Sequence, residues 1–487
     1  MDLHDDFNEN KIILGKVELN PKRWTILSVV LLGPFMATLD SSIVNVALPN
    51  MATALHVGIS SIQWVVTIYL IVVSSLILIF GRMADLIGKS KVFKNGFLIF
   101  SLGSLFCGLS FNISFLVISR MIQAVGAAMI LACNQGILTD VFPVNERGRA
   151  LGLSGTVVAL GTMVGPPLGG ILVGLFRWEV IFLINVPIGI FAYIYGNMIL
   201  EHGEVSVKGE TFDKFGAALF FIGIITLFAS LLNGETIGWI DLRIILGLMV
   251  SITCFITFYK WEKKIDYPIL DFSLFNNRLY TLSIFCAFIS FMAIFCTNII
   301  HPFYLQYVLG ISPAKAGILM IIFPISVVFV APLSGYMSDK IGSQILTLVG
   351  LLTTVLGLVA LSLLNENSTY INIIISIGIV GIGNGLFQSP NNAIIMSLAA
   401  KEKLGIAGSI NALTRNLGMV FGIVISIALL YNKMSAKIGY KVESYVTGRP
   451  DVFIYAMKFI YLTAALVCSI GVILTFIRMV GNVKKIR

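Results

Sequence analysis

The sequence predicts an all-α integral membrane protein with 14 transmembrane helices. They form two pseudo-symmetric six-helix bundles with a central inserted helix pair, and both termini are expected to be cytoplasmic. Three observations carry this. First, 57% of the 487 residues are hydrophobic and only 12% charged, with a mean hydropathy of +0.95, whereas soluble domains average about 25% charged residues. Second, mostly apolar runs recur from Trp24 to Val480, each of a length that crosses a bilayer as a helix. Third, segments of the first six runs return, in order, in the last six.

Residues 1–23 are polar and read as a cytoplasmic tail. The run behind them, 24–47, is too long for a signal-peptide core and lacks a small-residue cleavage site, so it reads as a retained helix. Runs 62–81, 95–112, 115–138, 149–175 and 180–200 complete an N-terminal bundle over 24–200. Segment 201–265 carries the inserted pair, 215–233 and 242–260. Runs 280–301, 314–336, 345–364, 371–398, 406–430 and 454–478 form the C-terminal bundle over 266–479, followed by a tail at 480–487. Short polar or Gly-containing turns such as "FNIS", "LFRWE", "NGETIGW" and "NENSTY" separate them.

Orientation follows from Lys and Arg. With the N-terminus inside, most of the 33 basic residues fall on the cytoplasmic side, including Arg82, Lys89, Lys91 and Lys94 in one loop. Two, Arg120 and Arg415, fall within helices. The net charge of +9 is then a topology signal, and its scatter over short loops argues against nucleic acid as a partner. The exception is the loop 431–453, external in this scheme yet carrying Lys433, Lys437, Lys441 and Arg449, which suggests an amphipathic surface helix. Six cysteines (Cys107, Cys133, Cys254, Cys286, Cys296, Cys468) lie in apolar runs without paired spacing, so neither disulfides nor a metal site is expected. No polar stretch is long enough for a soluble catalytic domain, and the apolar runs hold no His/Asp/Glu cluster. The chain is not expected to be an enzyme.

The repeat is explicit. "GRMADLIGKS" (81–90) returns as "GYMSDKIGSQ" (335–344), "GAAMILACNQG" (126–136) aligns with "GNGLFQSPNNA" (383–393), and "GTMVG" (161–165) aligns with "GMVFG" (418–422). Helices 1–6 therefore repeat as helices 9–14. Two halves related about the membrane normal make a transporter plan, with the substrate site between them near the midplane.

Four motifs bear on mechanism. In "LDSSIVNVALP", Asp40 places a carboxylate inside helix 1, at a cost of about 2.5–3.5 kcal/mol on insertion scales. In "LVISRMIQAVGAA", Arg120 lies about 27 Å from the inner end of helix 4, and Asp40 about 24 Å from the inner start of helix 1. At similar depth, the two are expected to pair. Burial disfavours a carboxylate's charge and a neighbouring guanidinium favours it, so a group held in that balance can load and release a proton. The competing reading is a permanent salt bridge locking helices 1 and 4. In "GRMADLIGKSK", Gly81 and Gly88 permit close approach and a tight turn. Asp85 can meet Lys89, Lys91 or a helix end, and Asp339 is its repeat counterpart. In "ALGTMVGPPLGG", Gly161, Gly165, Gly169 and Gly170 offer a small-residue helix face, while Pro166 and Pro167 remove amide donors.

With these motifs the chain resembles the major facilitator superfamily, in its 14-helix drug:proton antiporter branch, over nearly its whole length. "FLINVPIG" (182–189) adds a family-like stretch, and Ser41 or Ser42 stands where the family often has Thr. The resemblance implies that the 81–91 loop is a latch that closes and releases as the halves rock, although Ser343 and Gln344 deprive the second copy of its charge partner. It also implies that "ALGTMVGPPLGG" is an antiporter motif that points to export, and that drug-type hydrophobic compounds are the default substrate.

The expected function is therefore proton-coupled export of hydrophobic, drug-like compounds. It would be driven by the proton motive force without a cofactor, by a monomer in a bacterial cytoplasmic membrane. Export of one metabolite, such as an amino acid or lipid, is the nearest rival, and a non-transporting receptor or scaffold a distant one. Gln123, Asn134, Asn384, Gln388, Asn391 and Asn392 could line an aromatic-walled cavity or bond helix to helix. Arg415 adds a positive charge in helix 13 where the repeat has Val158. The cleft helices hold no second acid, so neutral, monocationic or anionic hydrophobic substrates are expected and dications are not.

Overall fold

The computed structural model describes residues 21–57, 59–62, 64–200, 211–311, 313–400, 404–442, 445–446 and 448–486. Most of the expected N-terminal tail (1–20) and the start of the inserted segment (201–210) lie outside the described residues. Among those described, the chain is helical throughout its regular elements and crosses back and forth 14 times. The crossings are α1 (Arg23–Ala54), α2 (Trp64–Ile87), α3 (Lys89–Gly108), α4 (Ile113–Val141), α5 (Val144–Leu175), α6 (Val180–Leu183 continuing as Asn185–Ile199) and α7 (Lys214–Ile237). They continue as α8 (Leu242–Glu262), α9 (Arg278–Phe303), α10 (Pro313–Met320 continuing as Ile322–Ile341), α11 (Ser343–Ser362), α12 (Tyr370–Ser397), α13 (Leu404–Ile438) and α14 (Pro450–Ile486). Thirteen are long and apolar enough to span a bilayer on composition alone. The remaining one, α3, has 20 residues and opens on three lysines, Lys89, Lys91 and Lys94. An even number of crossings puts the start of α1 and the end of α14 on one face of the bundle, called below the terminal face. α14 runs without a break through 480–486, so the separate tail expected there is the last two turns of this helix.

Prolines set the two broken helices. Pro187 has no amide hydrogen for the carbonyl of Leu183, and Pro324 none for that of Met320; the interruptions fall at Ile184 and Ile321.

Glycine notches hold each half together, and they repeat. A Cβ on Gly126 of α4 would overlap the backbone of Gly96 and Phe100 on α3, and one on Gly383 of α12 would overlap Gly350 and Thr354 on α11. Likewise Gly161 and Gly165 of α5 lie against α1, and their counterparts Gly418 and Gly422 of α13 lie against Phe288 and Met292 of α9. Such close approach is how helices associate where lipid removes the hydrophobic drive between them. The connections α2–α3 and α10–α11 each turn through one glycine at positive φ, Gly88 (99°) and Gly342 (91°), a conformation other residues rarely adopt.

The inserted pair sits to one side. Phe220, Ile224 and Phe228 of α7 join the apolar core of the first half, with α7 resting mainly on α2 and α8 resting on α7. The two halves meet along α5 with α10 and along α2 and α4 with α13.

The basic 431–453 segment is not a separate surface helix. α13 itself continues to Ile438. Lys433 lies over the Phe459 ring at 4.6 Å and Lys437 over Tyr455 at 5.2 Å, both rings being on α14, and Arg449 Nε donates to Asp451 Oδ1 at 2.9 Å.

Candidate functional site

Asp40 and Arg120 are both wholly buried and in direct contact. Arg120 Nη1 donates to Asp40 Oδ2 at 2.5 Å, while Gln123 Nε2 and Asn185 Nδ2 each donate to Oδ1 at 2.9 Å. Three donors thus converge on one carboxylate from α4 and α6. The guanidinium is held in turn. Its Nε donates to the Val65 carbonyl of α2 at 3.0 Å, Nη1 also reaches Gln123 Oε1, and its carbon lies 4.4 Å from the Tyr69 ring centroid and 5.6 Å from that of Phe182. Gln123 Nε2 is further anchored on Ser104 Oγ of α3 at 2.8 Å. Five helices therefore share one polar cluster in an apolar bundle. A charged pair away from water is tolerable only when most of its other lone pairs and protons are met; here Arg120 Nη2 alone of the guanidinium nitrogens is left without a partner among the described residues.

The sequence points to the acid, the base and Gln123, and leaves Gln123 either lining the cavity or bonding helix to helix. The structure puts it in the charge cluster, because three residues along a helix bring it onto the face of Arg120. Asn185, Ser104, Tyr69 and the Val65 carbonyl were missed.

Three glycines of the α5 motif pack against α1 and the fourth does not. Cβ atoms at Gly161, Gly165 and Gly169 would overlap Thr38, Ser42 and Ile43 of α1, and Ser42 Oγ donates to the Gly161 carbonyl at 3.1 Å. Gly170 faces open space. It is one residue, about 100°, beyond the 161–165–169 row and does not share its face. Pro166 and Pro167 lie inside α5, which remains one helix across them.

On the terminal face, Lys89 Nζ lies 2.7 Å from Asp140 Oδ2 at the end of α4 and 3.9 Å from Asp85 Oδ1. Asp140, absent from the expected latch, is the closer acid. Gly81 packs against Ser409 of α13, across the junction of the halves, and Ser409 Oγ donates to the Ala132 carbonyl of α4 at 3.4 Å. Asp339 lies on α10; its side chain is outside the described ones. Arg23 Nε of α1 donates to Glu146 Oε2 of α5 at 2.9 Å on the same face.

Between the halves lies a cavity of about 30 Å³, lined by Asn134, Gln135 and Ser154 from the first half and by Gln388, Asn392 and Arg415 from the second. Among the described residues no aromatic side chain borders this small void. Asn391 is elsewhere, donating to the Ser283 carbonyl at 3.1 Å inside the second half, and its neighbour Asn392 faces the cavity instead. Pro34 of α1 also borders it, six residues or about 9 Å below Asp40. A third buried guanidinium escaped the sequence reading: Arg478 of α14 donates to Ser283 Oγ at 2.8 Å and to Thr347 Oγ1 at 2.5 Å. Among the described residues, no group of three or more His, Cys, Asp or Glu side chains could hold a metal ion.

The family model described as Major Facilitator Superfamily matches residues 30–276 and 283–485. The chain is 34% identical to the riboflavin transporter RibZ of Clostridioides difficile over 93% of its own length and 97% of that protein's. It is 30% identical to the multidrug resistance protein Stp of Mycobacterium tuberculosis, over 83% and 75% of the two lengths. Its fold matches the crystal structure of the human organic anion transporter MFSD10 (TETRAN) with a TM-score of 0.67 at 12% identity, covering 93% of this chain and all of that one.

Proposed function

This chain belongs to the Major Facilitator Superfamily, and on that premise we propose that it is a proton-coupled antiporter. It would export drug-like hydrophobic compounds from a bacterial cell by alternating access, as a monomer in the cytoplasmic membrane, with its terminal face in the cytoplasm. Relatives named as multidrug resistance and multidrug transporter proteins support the substrate class, and the Lys and Arg distribution supports the orientation.

The observation that carries the proposal is the Asp40 carboxylate, inside the bundle and surrounded by donors. In this arrangement it is the ionised form that is satisfied, since all three donors point at oxygen lone pairs. A proton arriving at Oδ2 competes with Arg120 Nη1, so protonation loosens the tie between α1 and α4. Loss of the proton restores it. That exchange links a change of charge to the relative position of helices that bound the cleft, which rocking of the halves requires. Gly81 against Ser409, which crosses the junction, would close the terminal face in one of the two states, while Lys89 with Asp140 would brace α3 against α4 within the first half.

Everted membrane vesicles with an imposed proton gradient test this. Asp40→Asn, which keeps the shape and removes the charge, should abolish gradient-driven transport of drug-like dyes while the protein remains in the membrane. Full transport with full proton exchange in that variant would refute the assignment.

A second reading, a transporter for one metabolite on the same scaffold, is favoured by the relative named as a riboflavin transporter and by the polar, non-aromatic lining of the cavity. A transport panel that found one heterocyclic metabolite and no drug would select it.

A further inference from the structure

Arg415 has no partner among the described residues. It makes no hydrogen bond or ion pair with them, and its Nε is buried and unbonded. It borders the cavity between the halves, 11 residues or about 16 Å along α13 from Leu404, near mid-membrane. Apart from residues near their ends, the helices that bound this cleft carry one acid, Asp40, and that carboxylate is already engaged by Arg120, Gln123 and Asn185. The pair Asp40–Arg120 is neutral as a unit, so Arg415 leaves the cleft with one uncompensated positive charge. Intramembrane charges are rare, and they face cavities or pair with something.

The surroundings suit an anion. Asn134 Nδ2 is used by Ser154 Oγ at 3.1 Å and Asn392 Oδ1 by Asn411 Nδ2 at 2.9 Å, which leaves the Asn392 amide hydrogens and the Gln388 amide on the lining of the cavity that Arg415 borders. Guanidinium N–H groups in a planar fork bind carboxylate or phosphate oxygens in pairs. Val158, the repeat counterpart of Arg415, lines the opposite wall, so the charge comes from the second half alone. The other wall offers aliphatic surface at Val158, Leu151 and Leu131. The cavity in this structure is too small for a drug-sized molecule, and the two walls must part before a substrate enters.

We infer that Arg415 anchors an anionic group of the transported substrate, so that the cargo class is amphiphilic organic anions. The inference rests on the transporter reading above and narrows its cargo. Loading such an anion neutralises the cleft before it moves through the membrane. An empty cleft keeps its charge and changes state less readily.

The test uses the purified full-length protein and two xanthene dyes of one ring system, anionic fluorescein and cationic tetramethylrosamine, with binding read by fluorescence anisotropy in detergent. Wild type should bind fluorescein more tightly than the rosamine. Arg415→Ala should weaken fluorescein binding about tenfold or more and leave the rosamine unaffected or tighter. Should the alanine variant not fold, Arg415→Gln keeps bulk and hydrogen bonding and should show the same charge-selective loss. Preference for the rosamine in wild type, no binding of either dye, or equal fluorescein binding by wild type and Arg415→Gln would overturn the inference. The same dyes in proteoliposomes with a proton gradient separate the two readings. Charge-selective binding without gradient-driven transport sustains the anion site and refutes proton antiport; gradient-driven transport indifferent to Arg415 refutes the anion site alone.

Discussion

Adding one methyl group at Gly81 should pry the halves apart on the terminal face. The Cβ of an alanine there would overlap Ser409 Oγ and lie 2.9 Å from Ser409 Cβ, and no other heavy atom comes within 4 Å. The hydroxyl can turn away, giving up its 3.4 Å bond to the Ala132 carbonyl, but the Cβ cannot. Overpacking of this kind typically costs about 1–3 kcal/mol. The clash exists only while α2 and α13 touch, so the cost falls on the closed arrangement and shifts the population about 5- to 150-fold toward separation. Spin labels at Lys91→Cys and Lys340→Cys, one exposed site per half, would report it in a background with the six native cysteines replaced. Gly81→Ala should add a longer-distance population and slow gradient-driven efflux. Ser409→Gly removes both clashing atoms, and the double variant should recover the parental distances. A Gly81→Ala protein with parental distances, or a double variant no closer to the parent than the single, would refute the reasoning.

Removing one member of the buried pair should cost more than removing both. Arg120→Gln leaves the Asp40 charge uncompensated, at about 3–5 kcal/mol of stability, and Arg120→Gln with Asp40→Asn should regain most of it in mixed-detergent unfolding. Gly165→Ala, whose new methyl would overlap Ser42 on α1, should lower thermal stability by about 1–3 kcal/mol, with partial rescue by Ser42→Gly; unchanged stability would show that α1 and α5 separate freely. Phe459→Leu removes the face beneath Lys433 and should cost only about 0.5–1 kcal/mol, with efflux intact.

What the sequence disclosed and what it hid follow from distance along the chain. Helix number came from apolar runs, since a span must satisfy its own backbone, and the repeat came from motifs kept at nearly constant spacing. Depth arithmetic brought Asp40 and Arg120 together because both helices are long and straight enough for rise per residue to count. Azimuth was harder. Gly170 stands next to Gly169 and Asn391 next to Asn392, yet one step around a helix turns a side chain by about 100°, so Gly170 leaves the row of Gly161, Gly165 and Gly169, and Asn391 bonds within the second half while Asn392 borders the cavity. Asn185 was hidden for another reason: its partner is 145 positions away, and nothing local marks an amide that will meet a carboxylate. Composition counts aromatic residues without saying which way they face; many, such as Phe191, Phe329 and Phe476, point outward.

The sideways placement of α7 and α8 has a consequence for how such chains can be built. Two crossings added in the middle leave every later segment with its original direction, whereas one would invert the whole second half and its charged loops. The pair leans on α2 and brushes α13, along one edge of the seam where the halves meet, so a gene could acquire or shed the hairpin as a cassette without reversing the direction of any later helix. An engineer could likewise graft a reporter domain between α7 and α8, in the Gly238–Asp241 turn, and expect transport to continue.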